Sequence, residues 1–274
     1  GISPDEIDTG VVIMTGAAAR RDNASTIIEA LSADTGDIVA AVAGDHMEAM
    51  LAAYGSGAVE RSAADFSRIL NVDIGGATTK FALCENGRVI ATAALHGGGR
   101  QIVLNAKDQI VRVEPELQAY VLGLDIHWRA GESAARDDLR AVARDMAQQI
   151  VSAITRGVGE NFITTPLGDP GKLDGIMFSG GVAEYIYGRE KRDFGDIGLF
   201  LGRAMLTQIE NGALPAAILP AGECIRATAL GASQYSVQMS GATSCITSHA
   251  KLLPRKNLQV LQPVFDFSGD IGSE

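Results

Sequence analysis

The stretch Asn71-Val72-Asp73-Ile74-Gly75-Gly76-Ala77-Thr78-Thr79-Lys80 reads as a strand that ends in a carboxylate and two glycines, after which a second strand begins. Glycines let backbone N–H groups approach phosphate oxygens with no Cβ in the way, threonine hydroxyls add donors, and Asp73 can hold Mg²⁺ through water. Gly75, Gly76, Ala77, Thr78 and Thr79 are therefore candidate phosphate contacts, with Asp73 as candidate metal-binding and catalytic carboxylate. By itself the pattern also fits a glycine-kinked hairpin with a capping aspartate.

Downstream, two β-rich runs flank Asn86-Gly87, a dipeptide that tolerates positive φ at both central positions of a type I′ turn, so a hairpin is predicted. A second hairpin is expected across Lys107 and Asp108, joining RQIVLNA to QIVRVEP. Leu139, Val142, Ala143, Met146, Ile150 and Ile154 recur at helical spacing and predict a long helix from about Ser133 to Thr155. Beyond a loop at Pro166 to Gly171, Ile176-Met177-Phe178-Ser179-Gly180-Gly181-Val182-Ala183-Glu184 is again a buried strand, a glycine pair and a helix start. Adenine and ribose could lie against the flat backbone at Gly180 and Gly181, with Glu184 as a ribose contact, although the motif is common and Glu184 could simply favour the helix dipole. About 100 residues separate the two glycine loops, and their order with hairpins and a long helix between them makes the pair informative. Asp196 is placed to cap a further helix, and a last one is expected from Arg226 to Ser236.

Upstream, TGVVIMTG and GDIVAAVAG read as buried strands. Between them Asn23 caps a helix with Ile27, Ile28 and Leu31 on one face. DHMEAMLAAY gives a short helix closed by Gly55 and Gly57. Strands alternating with helices predict a layered α/β architecture.

The bulk properties exclude several classes. A net charge of −10 opposes general binding to nucleic acid or anionic lipid, which need clustered Lys and Arg. No apolar run approaches the ~20 residues that cross a bilayer, and GISPDEIDTG lacks the basic and apolar regions of a signal peptide. Cys84, Cys224 and Cys245 have no metal or redox spacing and fit a reduced, cytoplasmic interior. His46, His96, His127 and His249 are isolated from one another and are assigned no metal.

DIGGATT followed by SGGVAE resembles the phosphate-2 and adenosine motifs of the actin, Hsp70 and sugar-kinase superfamily, and GDHMEAMLAAYGSG is similar to its connecting helix. The resemblance implies an actin-like ATPase (ribonuclease H-like) fold, ATP/ADP and Mg²⁺ as cofactors, and Asp45, with Glu48 second, as the acidic residue that organises metal and water. Within the superfamily, DTGVVIMTGAAARRDNA, VAGDHMEAMLAAYGSGA, ILNVDIGGATTKFAL, HGGGRQIV and IRATALGASQYS resemble, in order, the EutA family of reactivating factors for ethanolamine ammonia-lyase. That likeness, from Ile7 to Ser240, implies ATP-dependent, chaperone-like exchange of damaged cobalamin for intact adenosylcobalamin in the lyase. Association with a bacterial microcompartment and with further copies of the chain is left open.

In the superfamily an earlier strand-turn with an Asp and a Gly/Thr loop grips the phosphates from the other side, and no D-x-G-T precedes Thr9. The expectation is a first lobe incomplete at its N-terminus, spanning 1–70 with the connecting helix. A second lobe follows over 71–238, and 239–274 forms an extension or the start of a further region. ATP hydrolysis by this sequence alone is expected to be weak or absent. Ala77 stands where Hsp70-like loops carry a third glycine. The rival readings are a sugar or acid kinase of the same superfamily, for which no separate acid constellation stands out, and a nucleotide-free scaffold.

Overall fold

In a computed structural model, described over residues 10–15, 38–159 and 161–239, the centre of the molecule is a five-stranded sheet built from β3 (Arg68–Ile74), β4 (Thr78–Glu85), β5 (Arg88–His96), β8 (Gly175–Ser179) and β9 (Ile218–Leu219). The strand order is β5-β4-β3-β8-β9. β4 runs antiparallel to β3 and β5, whereas β3, β8 and β9 are parallel. This is the order and polarity of a ribonuclease H-like sheet, and the chain has the actin-like ATPase fold. β8 and nearly all of β3 and β4 are buried, so those strands read as continuous apolar runs rather than alternating ones.

The hairpin at Asn86-Gly87 forms as the dipeptide requires, with φ of 49° and 79°. The second hairpin pairs β6 (Ile102–Leu104) with β7 (Ile110–Val113). The amphipathic helix is α4 (Arg136–Arg156), ended by Gly157 in the left-handed region at φ 61°. Its apolar face, including Leu139, Val142 and Ile150, joins Phe81, Phe178 and Ile176 in one core. Truncating a fully buried aromatic such as Phe81 there removes contacts worth about 3–5 kcal/mol.

The connecting helix α1 (Asp45–Gly55) packs on β3, β4 and β5 and crosses α7 (Ala227–Met239). Backbones touch at this crossing: a Cβ on Gly231 would lie 1.8 Å from Leu51 O, and one on Gly55 1.8 Å from Ala227 O. β1 (Gly10–Thr15) and β2 (Ile38–Ala43) form a separate parallel pair. Two helices go beyond the sequence reading. α2 (Ala58–Ala64) restarts after Gly57, and α3 (Pro115–Leu122) begins at a proline in the first-turn position that suits it. The one-turn α5 (Ala183–Ile186) and the longer α6 (Gly198–Glu210) follow the second glycine loop, and Asp196 Oδ1 accepts the Gly198 N–H at 2.9 Å just ahead of α6, although the cap position itself is Ile197. The helix read at Asn23 to Leu31 and the segment 240–274 lie outside the described residues. Among the described residues, no helix is long and apolar enough to cross a membrane.

Candidate functional site

The two glycine loops leave the same rung of the sheet, because Asp73 and Ser179 are register partners on the parallel strands β3 and β8. Ser179 Oγ donates to Asp73 Oδ1 at 2.7 Å and accepts from Asn71 Nδ2 at 3.0 Å, while Ser56 Oγ donates to Asn71 Oδ1 at 2.8 Å. This buried chain ties the end of α1 to the carboxylate. Asp73 is 4% exposed. Burial pushes its pKa up to about 6 against the opposing pull of the Ser179 hydrogen bond and the Lys80 charge. Lys80, opposite Asp73 on β4 and 2% exposed, pairs with Glu48 of α1 at 3.0 Å and donates to Thr78 Oγ1. Two carboxylates and one ammonium thus share a nearly dry place beneath the first loop.

The first loop is shaped by the turn that follows β5. The Gly99 and Arg100 N–H groups donate to Gly75 O and Gly76 O at 2.9 and 2.6 Å, and Gln101 Nε2 donates to Ala77 O at 2.8 Å. A trans peptide holds its N–H opposite its carbonyl, so fixing these carbonyls turns the N–H groups of Gly76, Ala77 and Thr78 away from the turn. The approach is close: a Cβ on Gly98 would sit 2.5 Å from Gly76 O. Thr79 Oγ1 donates to Gly97 O at 2.6 Å, so that hydroxyl serves the turn, and Thr78 is buried with Lys80 as its partner.

In the second loop Gly180 adopts φ +83°, and a Cβ there would lie 2.3 Å from Ile74 O. Only glycine lets the two loops meet this closely. Val182 N–H donates to Ile74 O at 3.2 Å and Gly180 N–H to Cys224 O at 2.9 Å, and the Glu184 carboxylate accepts the Ile225 N–H at 3.1 Å.

Both loops line one cleft of about 730 Å³, along with Asp73, Glu48, Gly75, Gly76, Gly180, Gly181 and Glu184. Ala77, Thr78, Thr79 and Asp45 are not among its lining residues. Of the two acidic residues in the first turn of α1, Glu48 reaches the cleft wall, where it pairs with Lys80 of β4, whereas Asp45 does not line the cleft. The cleft also takes Arg100, Arg189, Arg192, Phe194 and Ile225, none of which the sequence reading singled out. Arg100 follows three glycines and could have been found as the first side chain of that turn. The others depend on how the segments after α5 and β9 fold back.

Gly75, Gly76, Gly180 and Gly181 leave backbone open to the cleft, and Arg100 adds a half-exposed positive charge held by Asp196 at 3.2 Å. The arrangement suits an anionic ligand with a flat portion. No group of three or more His, Cys, Asp or Glu converges among the described residues, so a divalent cation here would need oxygens from the ligand and water beside Asp73 and Glu48.

The family model described as "Ethanolamine utilisation protein EutA" matches residues 1–270 of the chain. The chain is 34% identical over 280 residues to the ethanolamine ammonia-lyase reactivase EutA of Salmonella typhimurium, covering 97% of this chain and 57% of that protein. It is 34% identical over 279 residues to its namesake from Escherichia coli, covering 96% and 57%. The chain therefore spans little more than half the length of these curated relatives. Among solved structures, an exopolyphosphatase from Cytophaga hutchinsonii superposes with a TM-score of 0.47 at 11% identity, over 84% of this chain and 75% of that one.

Proposed function

The chain belongs to the EutA family, and from that premise we propose that it is the nucleotide-binding portion of an ATP-dependent reactivating factor for adenosylcobalamin-dependent ethanolamine ammonia-lyase. One observation carries the reading: Asp73 and Ser179, register partners 2.7 Å apart through their side chains, each lead into a glycine pair that lines the same cleft. In this reading the amide of Gly76 receives a phosphate oxygen, and Arg100 adds charge from the neighbouring turn. Gly180 and Gly181 give the nucleoside a surface without side chains. Asp73 and Glu48 hold Mg²⁺ through water, and the metal supplies neutralisation of the phosphate charge. Lys80 keeps those two carboxylates together.

Residues 71–238 act as the second lobe, and 1–70, with α1, contribute to the first. Ser56, at the end of α1, reaches Asp73 through Asn71 and Ser179, so a change at the carboxylate is felt where the helix ends. ATP and ADP bind the open and closed arrangements unequally, and that difference changes the grip on the lyase, since a ligand shifts an equilibrium only by its differential affinity. The test uses lyase inactivated with damaged cobalamin and mixed with adenosylcobalamin, this chain and Mg-ATP. Activity returns with the unaltered chain and ATP, and stays lost without ATP or with Asp73→Ala. Equal recovery in all three mixtures contradicts the reading.

A further inference from the structure

Part of the cleft wall is built from groups that the phosphate and metal roles leave unused. Phe194 and Ile225 are exposed apolar side chains, at 49% and 66%, and both line the cleft. Ile225 lies against the face of Gly181, its Cδ1 3.9 Å from where a Cβ would stand. The Arg192 guanidinium sits 5.0 Å from the centre of the Phe194 ring. Glu190 grips that guanidinium with both oxygens, at 2.6 to 3.1 Å, and also accepts the N–H groups of Lys191 and Arg192. Just beyond the ring, Asp193 accepts the Gly195 N–H at 2.9 Å, and Leu104 N–H donates to Gly195 O at 2.6 Å. The segment carrying the ring is thus held on both sides before any ligand arrives, and little ordering remains to be done on binding.

Four of the polar side chains around it are spent inside the protein. Glu184 accepts from Ile225 N–H, Glu190 from Arg192, Arg189 donates to Ala221 O at 2.7 Å, and the Tyr185 hydroxyl donates to Arg192 O at 2.9 Å. Reading the edge of a base takes donors and acceptors that are free to meet it, whereas every base offers a π face.

We infer that Phe194, backed by Arg192, is the platform on which the base of a bound nucleotide stacks, and that the cleft takes purine nucleoside phosphates with little discrimination between adenine and guanine. The inference rests on the nucleotide reading above and adds to it the side chain that holds the base and the breadth of base accepted. Mg-ADP, Mg-GDP and tripolyphosphate are titrated separately into the unaltered chain, Phe194→Ala and Phe194→Trp. ADP and GDP bind the unaltered chain within roughly fivefold of each other, Phe194→Ala weakens both by on the order of 10-fold, and Phe194→Trp restores them. Tripolyphosphate, which has no base, binds all three chains alike. Unchanged ADP affinity in Phe194→Ala overturns the platform and leaves the nucleotide reading standing, and GDP binding weaker by on the order of 100-fold overturns the breadth of base. No binding of either ADP or tripolyphosphate by the unaltered chain overturns the inference and the nucleotide reading together.

Discussion

Ser179 donates a hydrogen bond to Asp73 across adjacent parallel strands at 2.7 Å, and both residues sit at the last rung before their strands break into glycine loops. The carboxylate is therefore positioned by the strand of the other loop rather than by its own. A change at either strand end moves both walls of the cleft.

Asp73→Asn is expected to change how stability depends on pH. The folded-state pKa, about 6, lies above the ordinary 3.8, so the folded chain holds its proton more tightly than the unfolded one and loses stability as pH rises from about 4 to about 6. Asparagine keeps the acceptor for Ser179 and carries no charge. The variant matches the unaltered chain near pH 4 and exceeds it above pH 7, by up to about 3 kcal/mol. Urea denaturation at both pH values checks this, and a difference that shrinks as pH rises contradicts it.

Gly180→Ala and Gly181→Ala separate backbone conformation from mere proximity. At Gly180 an added methyl meets Ile74 O at 2.3 Å with φ at +83°, whereas at Gly181 it meets Ile225 at 3.9 Å. The first substitution costs about 1–2 kcal/mol for conformation alone and more for the overlap. The second stays within about 0.5 kcal/mol. Thermal melts of the two variants give the comparison.

Lys80→Met leaves Glu48 beside Asp73 with no cation between them. Breaking a buried pair in this way costs roughly 3–5 kcal/mol, and the loss is greater at pH 8 than at pH 5, where Asp73 can take up a proton instead. Adding Glu48→Gln to Lys80→Met recovers part of the loss. If the two substitutions are additive, Lys80 does not act through Glu48.

The glycine loops, the Asn86-Gly87 hairpin and α4 are legible in the sequence because each is specified within a few residues or by one repeating period. The cleft is less so. Lys80 reads as one more strand residue until the β3–β4 register sets it opposite Asp73. Glu48 gains its place from the way α1 lies on the sheet, and Thr79 reads as a phosphate donor until β5 brings Gly97 O within reach of its hydroxyl. Phe194 and Ile225 come from segments with no periodic pattern, held by contacts distant in sequence such as Leu104 N–H to Gly195 O, and only the fold shows that they line one cleft with Gly181.

Hydrogen exchange of the chain with and without Mg-ADP tests the central claim most directly. The account predicts added protection in two stretches at once, 73–80 and 179–186, because both loops leave one rung and line one cleft. Protection of neither stretch under saturating Mg-ADP, or protection confined to segments away from both loops, would contradict it.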